Sequence, residues 1–499
     1  MNQQSLRKTA EWSIVLLLLP VLAFLVQYIF ARWSSPLYSG NYDFDQSIFY
    51  VIGRAWHEGQ LPYLTAWDSK GPIIFLANLL GYCIEPSIRG VFWLQCINFL
   101  VVLWAAWFCL RRLTNVVKTL ACVLLFSASY VIISSGGNQV GDYTLALSVL
   151  TVFCTYRWSV ALQQGGVASH PARYAFLYGL FFAACLLSRL TNAMVLCTSI
   201  MVIVVVLVWH RRWQNLLANS VAFILGFVCC FLPFAFYFYA HGAFGEMWYA
   251  MFSYNLEYAL HSHPVAFQQI GVPVVYMMFY FISLLAVPIW ALAEIVAKRK
   301  GKVIFWAWLT ITLPVLVWLS KSYANANYVI SYLPVLFVPV LQLMDRVCEI
   351  GVDKEKTKAL LIRRWALACI VLIVIGGFAN HVRVFRSYGQ EGLPLQEAQR
   401  QMAALIPDNA TMVAYNCMPS VYIYNQKLPA CRFFVCQDWA IENGASLREK
   451  VRKDYNDTMA EWVMVSDFDH CAVRDILMRR YRVVKVDKAN DLMLMQRLK

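Results

Sequence analysis

Apolar runs of roughly 20 residues recur along most of this chain, parted by short polar loops, until the pattern changes near residue 385. A run of that length crosses about 30 Å of hydrocarbon as a helix. The pattern predicts spans at 12–30, 88–110, 117–135, 141–158, 174–190, 192–209, 215–240, 271–297, 303–319, 328–344 and 365–382. One further apolar stretch, 71–85, is short for a crossing. The last part alternates strand and helix signals: strands at 411–416, 462–466, 482–486 and 492–496, with helices near 419–424, 437–453 and 470–480. That alternation predicts a small α/β domain. The expected fold is a polytopic α-helical membrane protein of about 11–12 transmembrane helices (residues 1–384), followed by an α/β domain (385–499).

Composition agrees with this reading. Of 499 residues, 60% are hydrophobic and 14% charged, against roughly 25% charged in a soluble domain. An ordinary soluble enzyme is excluded. The net charge of +14 does not point to nucleic acid, because the basic residues cluster in short loops between spans. Arg111-Arg112, Arg211-Arg212, Lys298 to Lys300 and Arg363-Arg364 read as cytoplasmic anchors under the positive-inside rule. Placing those loops inside together makes 71–85 dip into or lie against the outer leaflet. It leaves four polar segments outside: 31–70, the turn Ser134 to Asp142, the loop His241 to Gln269, and Ser320 to Asn327. Eleven crossings then put 385–499 outside as well. The first run, after Arg7 and Lys8, lacks a small-residue cleavage site and reads as an uncleaved span.

Charge gathered beside a membrane, in a chain that otherwise avoids it, marks where chemistry is to be sought. Tyr42 to Pro72 holds Asp43 and Asp45, an amphipathic stretch with Ile48, Phe49, Ile52, Ala55 and Trp56 on one face, and the cluster Asp68-Ser69-Lys70-Gly71-Pro72. The stretch predicts an interfacial helix. Asp45 can cap it, which leaves Asp43 unexplained; a carboxylate there can also act as a general base. Lys70 at a helix start is unfavourable by dipole logic unless it meets an anion such as phosphate; the alternative is a lysine snorkelling to headgroups. Asp142, at the mouth of a span, and Arg189, between two apolar runs, are charged groups at membrane depth and so functional candidates. Arg189 can grip a phosphate bidentately or pair with Asp142. Lys321, Tyr323 and Tyr328 are weaker candidates, since interfacial aromatics commonly form a belt. Cys431 and Cys436 are close enough in sequence to be bridged in an oxidising compartment. No zinc-like Cys/His spacing occurs. No cofactor motif is present, and dependence on a divalent cation is left open.

The acidic pair after the first span, the amphipathic helix, Gly59-x-x-Pro62-Tyr63 and Trp67-Asp68-Ser69-Lys70-Gly71-Pro72 together resemble the GT-C glycosyltransferases. Within them the chain is most similar to bacterial members related to protein O-mannosyltransferases and lipid A aminoarabinose transferases. The resemblance implies that Asp43 or Asp45 is the catalytic base. It maps the family's charged-residue-then-proline element onto Lys70-Gly71-Pro72, its later acidic position onto Asp142, and its aromatic-rich turn onto Tyr328 to Pro334. It also implies a polyprenyl-phosphate sugar donor used outside the cytoplasmic membrane, usually with inversion. The chain departs in having Asp-Phe-Asp rather than adjacent carboxylates, and in lacking a second proline beside Pro72.

The expected function is therefore transfer of a sugar from a polyprenyl phosphate to a cell-surface glycan or glycolipid. Asp45 stands first as base and Asp43 second. Lys70 and Arg189 would stabilise the leaving phosphate, Asp142 would position a substrate, and Asp68, Lys321, Tyr323 and Tyr328 would bind it. The expected setting is the inner (plasma) membrane, with membrane lipids around the chain and the site on its outer side. The rival from another class, a transporter or flippase of lipid-linked glycans, calls for paired helical repeats, and no such symmetry is present.

Overall fold

The computed structural model describes residues 11–38, 42–134, 136–163, 166–261, 326–337, isolated helical positions between 340 and 382, and 393–498 apart from 436, 445 and 459. The expected spans 271–297 and 303–319 lie outside the described residues. Two compact units are present. One comprises Met1–Ala31, Gln95–Pro233 and Pro264–Phe385; the other comprises Arg32–Leu94, Phe234–His263 and Arg386–Lys499.

Six helices among the described residues are long and apolar enough to cross a membrane: Glu11–Phe30, Ile88–Arg111, Val116–Ile133, Asp142–Leu162, Leu190–Trp209 and Trp213–Ala240. Helix Ala172–Leu186 is apolar but shorter. The first unit buries a continuous cluster that includes Leu19, Phe99, Trp107, Phe126, Tyr130, Tyr178 and Leu333. Phe99 stacks on Tyr130 at 4.4 Å and Phe126 on Phe337 at 4.9 Å. Lipid tails are as apolar as leucine, so close packing rather than water exclusion must hold such helices together. Gly179 and Gly226 supply it. A Cβ on Gly179 would stand 2.0 Å from the Phe223 carbonyl oxygen, and one on Gly226 2.0 Å from that of Phe176. Each glycine thus lets the partner backbone approach to contact.

In the second unit, helix Phe44–His57 packs on helix Pro72–Ile84, again through a glycine: a Cβ on Gly53 would meet the Asn78 Cβ at 2.6 Å. The 13 residues of Pro72–Ile84 rise about 20 Å, short of the roughly 30 Å of a bilayer core. Helix Phe44–His57 differs from the one-sided interfacial helix its pattern suggests. Gln46, Ser47 and Arg54 are buried together with the apolar face, because its second side is covered too. Arg54 Nη2 donates to the Gln426 carbonyl at 2.8 Å and Arg54 Nε to Glu58 at 2.8 Å.

The α/β part carries β1 (Met412–Tyr415), β2 (Trp462–Ser466), β3 (Tyr481–Asp487) and β4 (Leu492–Arg497), in the order β1-β2-β4-β3. β1 and β2 are parallel; the other pairs are antiparallel. Each strand falls within a residue or so of its expected place. The expected helix near 437–453 is instead two, Gln437–Asn443 and Leu447–Thr458. The break falls at Gly444, a residue type that ends helices, and a Cβ there would stand 2.6 Å from the Tyr254 ring. The helix expected near 470 begins at Arg474. Cys431 is a buried free thiol; Cys436 lies outside the described residues.

Candidate functional site

Asp43 is the N-terminal cap residue of helix Phe44–His57, in extended conformation, yet its side chain makes no capping hydrogen bond. Asp45 sits in the first turn. The Asp43 carbonyl accepts from the Ser47 N–H at 3.2 Å and from the Ser47 hydroxyl, while the carboxylate faces the Phe44 and Asp45 N–H groups, which favour its ionised form. Both carboxylates are half-buried. Burial, reinforced by the neighbouring Asp45 charge, pushes the Asp43 carboxyl up to about 7, against the pull of nearby Arg32.

The far end of the helix closes in a Schellman motif: Gly59 N–H donates to Trp56 and Gln60 N–H to the Ala55 carbonyl at 2.8 Å. Gly59, with φ +87°, is the residue type such an end requires. The chain then turns at Tyr63, a fully buried non-glycine residue at φ +69°. That is a conformation bulky residues rarely hold unless the surroundings over-determine it. They do so here. Tyr63 N–H donates to the Ala66 carbonyl at 2.9 Å, and its hydroxyl to the Lys70 carbonyl at 2.8 Å.

The segment Trp67 to Lys70 is held at three further points. The Lys70 N–H donates to Asp68 Oδ1 at 2.8 Å, and its Nζ lies 3.5 Å from the same oxygen. Asn255 Nδ2 donates to the preceding Ser69 carbonyl at 2.9 Å, and Trp67 N–H donates to the Arg432 carbonyl at 2.9 Å. Gly71 then caps helix Pro72–Ile84, with Pro72 in its first turn, where its missing N–H costs nothing. A cation is thus held at a positive helix end, partly compensated by Asp68, an arrangement suited to an anion.

The first unit gathers the other candidates. Asp142 opens the 3-10 turn Asp142–Thr144 ahead of helix Leu145–Gln163. It is buried; its Oδ2 accepts from Gln139 N–H at 2.9 Å, and its carbonyl from Asn98 Nδ2 at 3.0 Å. The Tyr130 hydroxyl stands beside the carboxylate, while no described group closes a hydrogen bond on Oδ1. The 3-10 segment Ala326–Leu336 joins this turn to the segment after Arg189. Asn327 Nδ2 donates to Gln139 Oε1 at 2.6 Å, and the Tyr332 hydroxyl donates to the Thr191 carbonyl. Arg189 is half-buried and lies near Tyr332. Tyr328 falls on the 3-10 segment; Lys321 and Tyr323 lie outside the described residues. No cluster of three or more His, Cys, Asp or Glu suited to a metal occurs among the described residues.

Sequence reasoning missed two residues of the second unit. Tyr63 was legible only as part of a Pro-Tyr turn, not as the group that holds Lys70. Gln396, on helix Leu393–Ala403, bonds both backbone groups of Tyr42, and nothing in its local sequence announces that.

Among solved structures, the chain is similar to ArnT from Cupriavidus metallidurans, a structure bound to undecaprenyl phosphate. The identity is 12% and the TM-score 0.50, over 97% of this chain and 98% of that one. It also matches an Archaeoglobus fulgidus oligosaccharyltransferase at 13% identity and TM-score 0.46, over 90% of this chain and 68% of that one. No curated protein matches by sequence. The likeness to ArnT extends over nearly the whole of both chains and shows the GT-C fold of a multi-pass membrane protein. Residues 2–364 match the family described as the competence-induced protein Ccs4 N-terminal domain, and the chain belongs to that family.

Proposed function

We infer that this protein is a membrane glycosyltransferase that moves a sugar from a polyprenyl-phosphate donor to a cell-surface glycan or glycolipid. The observation that carries the reading is Asp43: a half-buried carboxylate at a helix start, beside a second carboxylate, its proton affinity raised to about 7 by burial and by the Asp45 charge. A general base works best when its pKa lies near the working pH. The sequence puts Asp45 first; the setting of Asp43 supports Asp43 as the base, with Asp45 raising its proton affinity. In the reaction, the carboxylate takes the proton of an acceptor hydroxyl as its oxygen attacks the anomeric carbon. The bond from that carbon to the phosphate oxygen breaks, and its electron pair leaves with the polyprenyl phosphate.

Lys70 supplies the cation for the leaving phosphate, and its fixed backbone spares it reorganisation as charge develops. In the first unit, Arg189 carries a guanidinium of the kind that grips phosphate bidentately. Asp142, buried with the Tyr130 hydroxyl beside its carboxylate, positions a substrate as a hydrogen-bond acceptor, and Tyr328 lies on the segment that joins these two. The undecaprenyl phosphate of the similar ArnT structure supports a lipid-phosphate donor. Such a donor also suits the outer face of the plasma membrane, where nucleotide sugars are absent, and we place the site and residues 385–499 on that face. The test is mass spectrometry of envelope glycans and glycolipids from cells with and without the gene. Loss of one sugar-sized mass from an acceptor is expected; identical profiles under conditions of expression contradict the reading.

A further inference from the structure

We propose that Gln396 is a positioning residue, which sets the backbone ahead of the acidic pair and makes the C-terminal domain part of the catalytic loop's architecture. The proposal rests on the transferase reading for its bearing on rate, but the clamp itself can be read without turnover.

Gln396 is buried on helix Leu393–Ala403. Its Nε2 donates to the Tyr42 carbonyl at 2.9 Å, while Tyr42 N–H donates to its Oε1 at 3.3 Å. A glutamine carboxamide carries one acceptor oxygen and an N–H donor, as a peptide group does. It therefore pairs with Tyr42 as a neighbouring strand would, although Tyr42 belongs to no sheet. The amide is itself held: the Tyr424 hydroxyl donates to the same Oε1 at 3.1 Å, and the Tyr42 and Tyr424 rings lie 5.1 Å apart. Only the joint between Tyr42 and Asp43 then remains, and the Asp43 carbonyl is bonded on its other side by Ser47. The Asp43 Cα is thus fixed from both directions, one of them from 354 residues away. The charged and titratable groups around the clamp are Asp45 and Arg32 acting on Asp43, Arg89 on Tyr42, and Arg400, Glu397 and Tyr42 on Tyr424. Placing a base to within a fraction of an ångström is what such an outer support provides.

The test uses the full-length protein in nanodiscs, as wild type, Gln396→Ala, Gln396→Glu and Tyr424→Phe. Two quantities are read by peptide mass spectrometry: hydrogen exchange of the amides of residues 42–47, and labelling of Asp43 by a hydrophobic carbodiimide, which reacts with the protonated carboxyl, across pH 4–9. Gln396→Ala should speed exchange at Tyr42 and Phe44 about tenfold or more and move the Asp43 labelling midpoint down, as water reaches the carboxylate. Gln396→Glu should move it up, because a second carboxylate opposes ionisation. Tyr424→Phe should give part of the alanine effect and decides the matter if Gln396→Ala does not fold. Unchanged exchange and midpoint in a folded Gln396→Ala or Tyr424→Phe protein overturn the proposal. Loss of transfer in Asp43→Asn, measured separately, tests the transferase reading and not the clamp.

Discussion

Arg54 of the acidic helix reaches across 372 positions of sequence to Gln426, donating from Nη2 to its carbonyl at 2.8 Å and from Nη1 toward its Oε1 at 3.4 Å. The link explains why a helix patterned for an interface is buried on both sides. A guanidinium hydrogen bond of this kind contributes roughly 1.5–3 kcal/mol. Arg54→Ala should therefore lower the thermal midpoint of the full-length protein and open the 420–426 segment to limited proteolysis. Arg54→Lys should recover little, since one ammonium cannot reproduce the fork.

Lys70 and Tyr63 separate charge from position. Lys70→Ala should cut turnover by about 10²–10³-fold with a small change in donor affinity, the scale at which a single transition-state stabiliser acts. Tyr63→Phe removes only the hydroxyl that holds the Lys70 carbonyl and should cost less, about tenfold, with the lysine still present. Single-turnover rates on both variants check the order; equal losses contradict it.

Asp43 predicts both a pH profile and a stability change. With its carboxyl raised to about 7, transfer should fall about tenfold per pH unit below that value, as the base becomes protonated. The folded pKa lies above the ordinary carboxylate value, so ionisation opposes folding. Stability should rise as pH falls through about 7 and level off below the unfolded value near 4. Asp43→Asn, which cannot ionise, should melt higher than wild type at pH 8 and at an equal temperature near pH 4. Calorimetry in nanodiscs at the two pH values decides.

Gly179 and Gly226 test the membrane packing. Alanine at either position must displace a carbonyl oxygen that would lie 2.0 Å from its Cβ. Each substitution should cost on the order of 1–3 kcal/mol, measured as reversible unfolding in detergent. The double substitution should cost less than the sum, because the same two backbones move apart once.

The six long apolar helices among the described residues and the α/β strands were legible because each is written locally, as a long apolar run or as short apolar segments between turn residues. Asp43, Asp68 and Lys70 stood out as candidates because charge is scarce in this chain. What escaped the sequence is what depends on distant partners. The burial of Arg54 is decided by Gln426, and the fixing of Tyr42 by Gln396, a glutamine like any other on its helix. Tyr63 escaped for a related reason: its positive φ is imposed by contacts to Ala66 and Lys70, not by its own preference.

The proposed base is a carboxylate before helix Phe44–His57 that drives transfer from a polyprenyl-phosphate sugar. Its most direct test compares wild type, Asp43→Asn, Asp45→Asn and the double variant, each folded and inserted, for appearance of glycosylated acceptor by mass spectrometry in cells lacking the native gene. No product is expected from Asp43→Asn or the double variant, with the lipid-linked sugar accumulating, and reduced product from Asp45→Asn. Full product from the double variant would contradict the proposal.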